Sequence, residues 1–190
     1  MHKLLLIFIL VSTFTSASKA GQETGNGGFY NEMIYGELHG RIFYITELTL
    51  NKMIEDNGLV LKTEILLPAF KKFIEENKVH NNYLDKLKYV LTNNKENLYN
   101  DIINSSFKIG NCKLNSDLCT GNIPESDIII NSKRILSKKR AISVYEFIGL
   151  IAHEFTHHYV MDQDHPYYLF AKYIRTNLLF SIIDPYKIYY

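Results

Sequence analysis

Cysteine is scarce in this chain: Cys112 and Cys119 are the only two among 190 residues. Two thiols cannot build a four-ligand zinc finger, and no paired Cys/His set stands at finger spacing. The intervening Lys-Leu-Asn-Ser-Asp-Leu reads as a turn, so the pair predicts a disulfide closing a small loop once the chain reaches an oxidising compartment. Charge of one sign is also lacking. Lys and Arg number 21 against 20 Asp and Glu, and no basic block occurs, which argues against nucleic acid or an anionic membrane as the main partner. Tryptophan is absent while tyrosine reaches 14, so the aromatic content rests on Tyr and Phe. No run reaches the ~18 apolar residues of a membrane span. The Gly-rich stretch at 21–29 has no Gly-Lys-Ser/Thr and no preceding strand, so it is not a phosphate loop but a polar N-terminal segment.

What is present begins with a leader. His2-Lys3 forms a short basic region, Leu4 to Val11 an apolar one, and small residues follow to Ala17-Ser18-Lys19-Ala20. This predicts a secretory signal peptide over 1–20, cut after Ala20 or, second choice, Ala17. A retained N-terminal anchor is the competing reading, but the apolar stretch is too short for a comfortable span. The mature chain, 21–190, keeps about 170 residues, enough for one domain with a real core. Removing Lys3 and Lys19 turns the formal charge from +1 to −1. The expected location is therefore exported, periplasmic or secreted, with no stable membrane insertion after cleavage.

Hydrophobic spacing predicts an α+β fold: a mostly helical single domain with a small β-sheet beside one distinctive helix. Residues 33–45 alternate and suggest a short hairpin. Leu48, Leu50, Met53 and Ile54 mark a first helix. Leu61, Ile65, Leu66, Ala69, Phe70, Phe73 and Ile74 recur at three- and four-residue steps, with Pro68 as an irregularity. Tyr83, Leu84, Leu87, Val90 and Leu91 mark another helix, and Leu98 to Ile103 one more. These stripes read as core. Ile128-Ile129-Ile130 reads as a short strand, expected to offer an edge to an extended peptide. His39 and His80 read as surface or satisfied histidines.

The distinctive helix carries His153-Glu154-Phe155-Thr156-His157. Residues four apart on a helix lie one above the other, so both imidazoles can face one metal ion. Glu154 sits beside them, placed to take a proton from a metal-bound water. Ser143-Val144-Tyr145-Glu146 reads as a capping box that starts this helix near 144, and no proline interrupts it before Pro166. Gly149 costs such a helix about 1 kcal/mol relative to Ala, a cost that close packing of a neighbour would explain. The bland alternative is an ordinary amphipathic helix with surface histidines.

A catalytic zinc takes three protein ligands and a water. Glu154 is the last glutamate of the chain, so no later Glu can be the third. The extended pattern HExxHxxGxxH also fails, because Val160 and Gln163 occupy its Gly and last His positions. His158 points about 100° around the helix from His157. Asp162, Asp164, His165 and Asp184 remain, and a turn ahead of Pro166 would let Asp164 swing back over the metal. A cap on the following helix is the other reading of Asp164.

These residues resemble the zincin metallopeptidases, whose HExxH helix holds both histidine ligands. Residues 143–168 are further similar to the aspzincin branch, which continues Gly-Thr-x-x-Asp-x-x-Tyr-Gly. The resemblance makes Asp164 the third ligand and Tyr167 a stabiliser of the oxyanion. The chain departs from that pattern where Val160-Met161 replaces Gly-Thr and Tyr168 replaces the last Gly. The expectation is thus an exported Zn2+-dependent peptide hydrolase acting on a peptide or protein substrate. Two rival classes stand beside it: a non-enzymatic exported metal-binding or zincin-like interaction module, and a structural protein with no metal.

Overall fold

The computed structural model describes residues 44–76, 81–112, 116–137, 142–160 and 165–180, with side chains of the last stretch from 168 to 178. The expected leader, the expected hairpin at 33–45 up to residue 43, and His39 and His80 lie outside these residues. The fold is mostly helical with a small three-stranded sheet.

Helix α1, Glu47–Ile54, starts where the Thr46 hydroxyl accepts the Thr49 N–H at 3.1 Å. It buries Leu50 and Met53 and leaves Leu48 in solvent. The chain then makes a left-handed turn, with positive φ at Asp56, Asn57 and Gly58. Asn57 tolerates this conformation and uses it: its amide accepts from Phe107 N–H at 2.8 Å and donates to the Ser105 carbonyl at 3.3 Å. Gly58 has no alternative, since a Cβ there would lie 2.4 Å from the Phe107 ring.

A π-helical stretch, Leu61–Leu66, runs straight into α2, Leu67–Glu75. Pro68 explains the irregularity, because it has no N–H for the ordinary ladder and the preceding turn widens. Helix α3, Asn82–Asn93, is capped by Asn81, which accepts from Tyr83 and Leu84 N–H. After a single-residue joint at Asn94 comes α4, Lys95–Asn104.

The sheet consists of β1, Phe107–Ile109, β2, Leu118–Cys119, and β3, Ile128–Ile130, in the order β1-β3-β2. Strand β3 pairs parallel with β1, Phe107 opposite Ile128, and antiparallel with β2, Leu118 opposite Ile130. The expected edge at 128–130 is therefore corrected: β3 is the central strand, its ladders taken on both sides, and the edges are β1 and β2. A bridge joins Cys112 to Cys119, with sulfurs 2.23 Å apart.

A short helix, α5, Ser132–Ile135, leads towards α6, Val144–His157. Ser143 caps α6 by accepting the Glu146 N–H at 3.0 Å. Twelve of the fourteen residues of α6 are buried, so this helix is core on nearly every side. Strand β2 packs against it, and so does α7, His165–Phe180. Phe155 of α6 meets Phe70 edge-on at 6.4 Å between centroids, and Phe170 of α7 lies 5.1 Å from Phe70 and 4.8 Å from Phe73. Such a cluster adds about 0.5–1.5 kcal/mol per ring pair beyond simple burial.

Candidate metal centre

Helix α6 brings His153 and His157 together as their spacing demands. Their Nε2 atoms lie 3.1 Å apart and their rings stand perpendicular, 4.7 Å between centroids. Two nitrogens bound to one tetrahedral zinc at ~2.05 Å would be about 3.3 Å apart, so this separation fits a shared ion. Glu154 joins the group: one ligand atom from each of the three residues lies within 4.8 Å of the others. His153 and Glu154 are buried and His157 is half-buried. The donor set, two imidazoles and a carboxylate in a largely dry setting, can hold a metal ion. Thr156 stabilises the turn between the histidines by donating to the His153 carbonyl at 2.6 Å.

Packing of α7 sets what else can reach this point. A Cβ on Gly149 would lie 2.7 Å from the Ala171 carbonyl oxygen, so backbone of α7 touches α6 there. Gly149 precedes His153 by one turn, on the same face. Helix α7 packs along α6. The Tyr167 side chain lies outside the described residues, as do Asp162, Asp164 and Asp184. His165 opens α7.

Sequence reasoning missed the polar network behind the histidines. His158 turns away from His157, as helix geometry requires, and its Nδ1 lies 2.7 Å from Asp101 Oδ2 on α4. Its Nε2 lies 2.7 Å from the Thr120 hydroxyl, which donates to the Asp127 carbonyl at 3.0 Å. Asp101 Oδ1 accepts from Ser105 Oγ at 2.8 Å and from Glu125 N–H at 2.6 Å. The side chains of both His158 and Asp101 are wholly buried. Burial and, second, the Asp101 charge hold the Tyr159 phenol above its ordinary range. The Ser105 carbonyl in turn accepts from buried Lys62. Doubling of His at 157–158 was the visible sign, but nothing local points to Asp101.

No protein-family model matches this chain, and no curated protein or solved structure is detectably similar to it.

Proposed function

We propose that this chain is an exported zinc-dependent peptide hydrolase of zincin type. The observation that carries the reading is the convergence of His153 and His157 Nε2 at 3.1 Å, with the Glu154 carboxylate in the same group. His153 and His157 would hold Zn2+, with Asp164 as third protein ligand. Zinc bound there supplies Lewis acidity and lowers the pKa of a water to ~7. Glu154, beside the ligands and shielded from bulk solvent, accepts the proton of the attacking water and delivers it to the leaving amine. Tyr167 donates a hydrogen bond to the scissile carbonyl oxygen as charge develops on it. The Cys112–Cys119 bridge is compatible with an extracellular setting, and among the described residues no helix is long and apolar enough to cross a membrane.

Metal analysis of the purified mature protein, with Glu154→Gln as the partner variant, tests the reading. We expect about one zinc per chain in both forms and peptide cleavage by the parent alone. Full metal retention by His157→Ala would remove the site. Equal cleavage by the parent and Glu154→Gln would remove the mechanism. Metal with no cleavage by the parent across a peptide library would leave the binding module in its place.

A further inference from the structure

We propose that Asp101 is a positioning residue for the metal centre, acting through His158 to hold the last turn of the ligand helix. The inference rests on the metal reading of His153 and His157. The weak point of that pair is His157. It is the final residue of α6 and half-buried, and beyond it the helix gives way to a closing turn, in which His158 N donates to the Phe155 carbonyl and Tyr159 N and Val160 N share the Thr156 carbonyl. Helix ends fray unless something outside the helix secures them. His153, one turn earlier, has the core around it. A fraying last turn would carry the His157 nitrogen away from its 3.1 Å partner while leaving His153 in place.

The anchor sits at the very next residue. His158 is held at both ring nitrogens, by Asp101 Oδ2 at 2.7 Å and by Thr120 Oγ1 at 2.7 Å. A ring held at both ends cannot rotate without breaking a bond in a wholly buried place, where a lost hydrogen bond is most expensive. Asp101 is itself immobilised from three directions. Ser105 Oγ and Glu125 N–H bind its other oxygen, and α4 carries its backbone. The chain of contacts runs on through Ser105, whose carbonyl receives Lys62 from the π-helical segment. The end of the metal helix is thereby tied to α4, to the loop Thr120–Asp127 and to the segment before α2.

The chemistry predicts which replacements are tolerated. In Asp101→Asn the side-chain oxygen still accepts from Ser105 and Glu125, and the amide donates to His158 Nδ1. His158 Nε2–H then keeps its bond to Thr120. Asp101→Leu keeps the count and branching of the side-chain heavy atoms, with bulkier methyls in place of the oxygens, and leaves His158 Nδ1, Ser105 and Glu125 without their acceptor.

The experiment measures zinc affinity by chelator competition, the visible spectrum of the cobalt(II)-substituted protein, and amide exchange at residues 155–160. The parent is compared with Asp101→Leu, Asp101→Asn and a core control, Leu91→Ala. Asp101→Leu should bind zinc at least ~10-fold more weakly, with altered cobalt bands and ~10-fold faster exchange at 155–160. Asp101→Asn should stay within ~3-fold of the parent. Leu91→Ala should lose stability and keep both affinity and spectrum, which separates positioning from general weakening. Parent-like affinity, spectrum and exchange in Asp101→Leu would overturn the proposal. If Asp101→Leu does not fold, Thr120→Val, which removes the other anchor of the same ring, carries the same expectations. If the parent binds no metal, amide exchange still decides. Faster exchange then keeps the anchor and the metal reading alone fails, whereas unchanged exchange overturns the anchor.

Discussion

Replacing Gly149 by alanine sets two effects of opposite sign against each other. Alanine in a helix interior is favoured over glycine by about 1 kcal/mol. In an isolated α6 the substitution would therefore stabilise. In the folded protein the new methyl would stand 2.7 Å from the Ala171 carbonyl oxygen, with the carbonyl carbon at 3.4 Å. An ordinary carbon–oxygen contact needs roughly half an ångström more, and the opposing atom is backbone, so no rotamer change relieves it. Either α7 moves off, which loosens the contacts of Phe170 with Phe70 and Phe73, or α6 rotates, which loosens that of Phe155 with Phe70. A gap of about 0.5 Å already forfeits roughly a quarter of each contact's attraction. Overpacking of this kind costs about 1–3 kcal/mol, so after the propensity gain of about 1 kcal/mol we expect a net loss of about 0–2 kcal/mol. Urea unfolding of the parent and Gly149→Ala, read by far-UV circular dichroism with the slope held common, measures it. The double variant Gly149→Ala/Ala171→Gly should show no rescue, because trimming the Ala171 side chain leaves its carbonyl in place. A Gly149→Ala protein more stable than the parent by about 1 kcal/mol would refute the close approach of the two helices.

Two further outcomes follow from features remote from that crossing. Replacing Cys112 and Cys119 together by serine should lower stability by about 2–3 kcal/mol in the chain-entropy picture for so short a loop, and alkylation before and after reduction should find no free thiol in native parent. Lys62 should make stability depend on alkaline pH: burial lowers its ammonium from 10.5 to about 8. Between those values the unfolded chain holds a proton that the folded chain has released, so stability rises with pH across this window. Compared with Lys62→Met at pH 7 and pH 10, the parent should gain about 1–3 kcal/mol relative to the variant, and a pH-independent difference would contradict the burial.

The motif helix was legible because several signals agree on it. Ser143 caps it, the apolar run of residues 147–152 is buried, and the one discordant residue, Gly149, proved to be where α7 touches it. The His153–His157 pair follows from helical spacing alone. The strand at 128–130 was legible as a strand but not as the centre of the sheet. Three isoleucines have no alternation to say which side pairs, and neighbours are chosen by the path of the whole chain. Lys62 gave no sign either: it interrupts an apolar stripe, which ordinarily marks a solvated position, yet it is buried against the Ser105 carbonyl and the Phe107 ring. Asp101 lies 57 residues from His158, and a contact at that distance leaves no periodicity to read. Side chains of Asp164 and Tyr167, on which the aspzincin resemblance bears, fall outside the described residues.

The order β1-β3-β2 has a consequence for how the chain reaches its native state. The two strands that come first in sequence are the two edges and do not pair with each other; β2 and β3 close locally as an antiparallel hairpin, but β1 has no partner until that hairpin's far strand arrives. The first strand waits for Ile128–Ile130, with Phe107 pairing to Ile128 across a long excursion of the chain. Pairings of that range are slow, because the loop must close before any bond rewards it. The bridge from Cys112, just past one edge, to Cys119, within the other, changes the search. It tethers both edges beside the place of the missing strand, and Cys112 Sγ ends 3.8 Å from the Ile129 carbonyl. An oxidised chain holds β1 within reach of the β2–β3 hairpin, whereas a reduced chain must bring that edge in unaided and should refold more slowly.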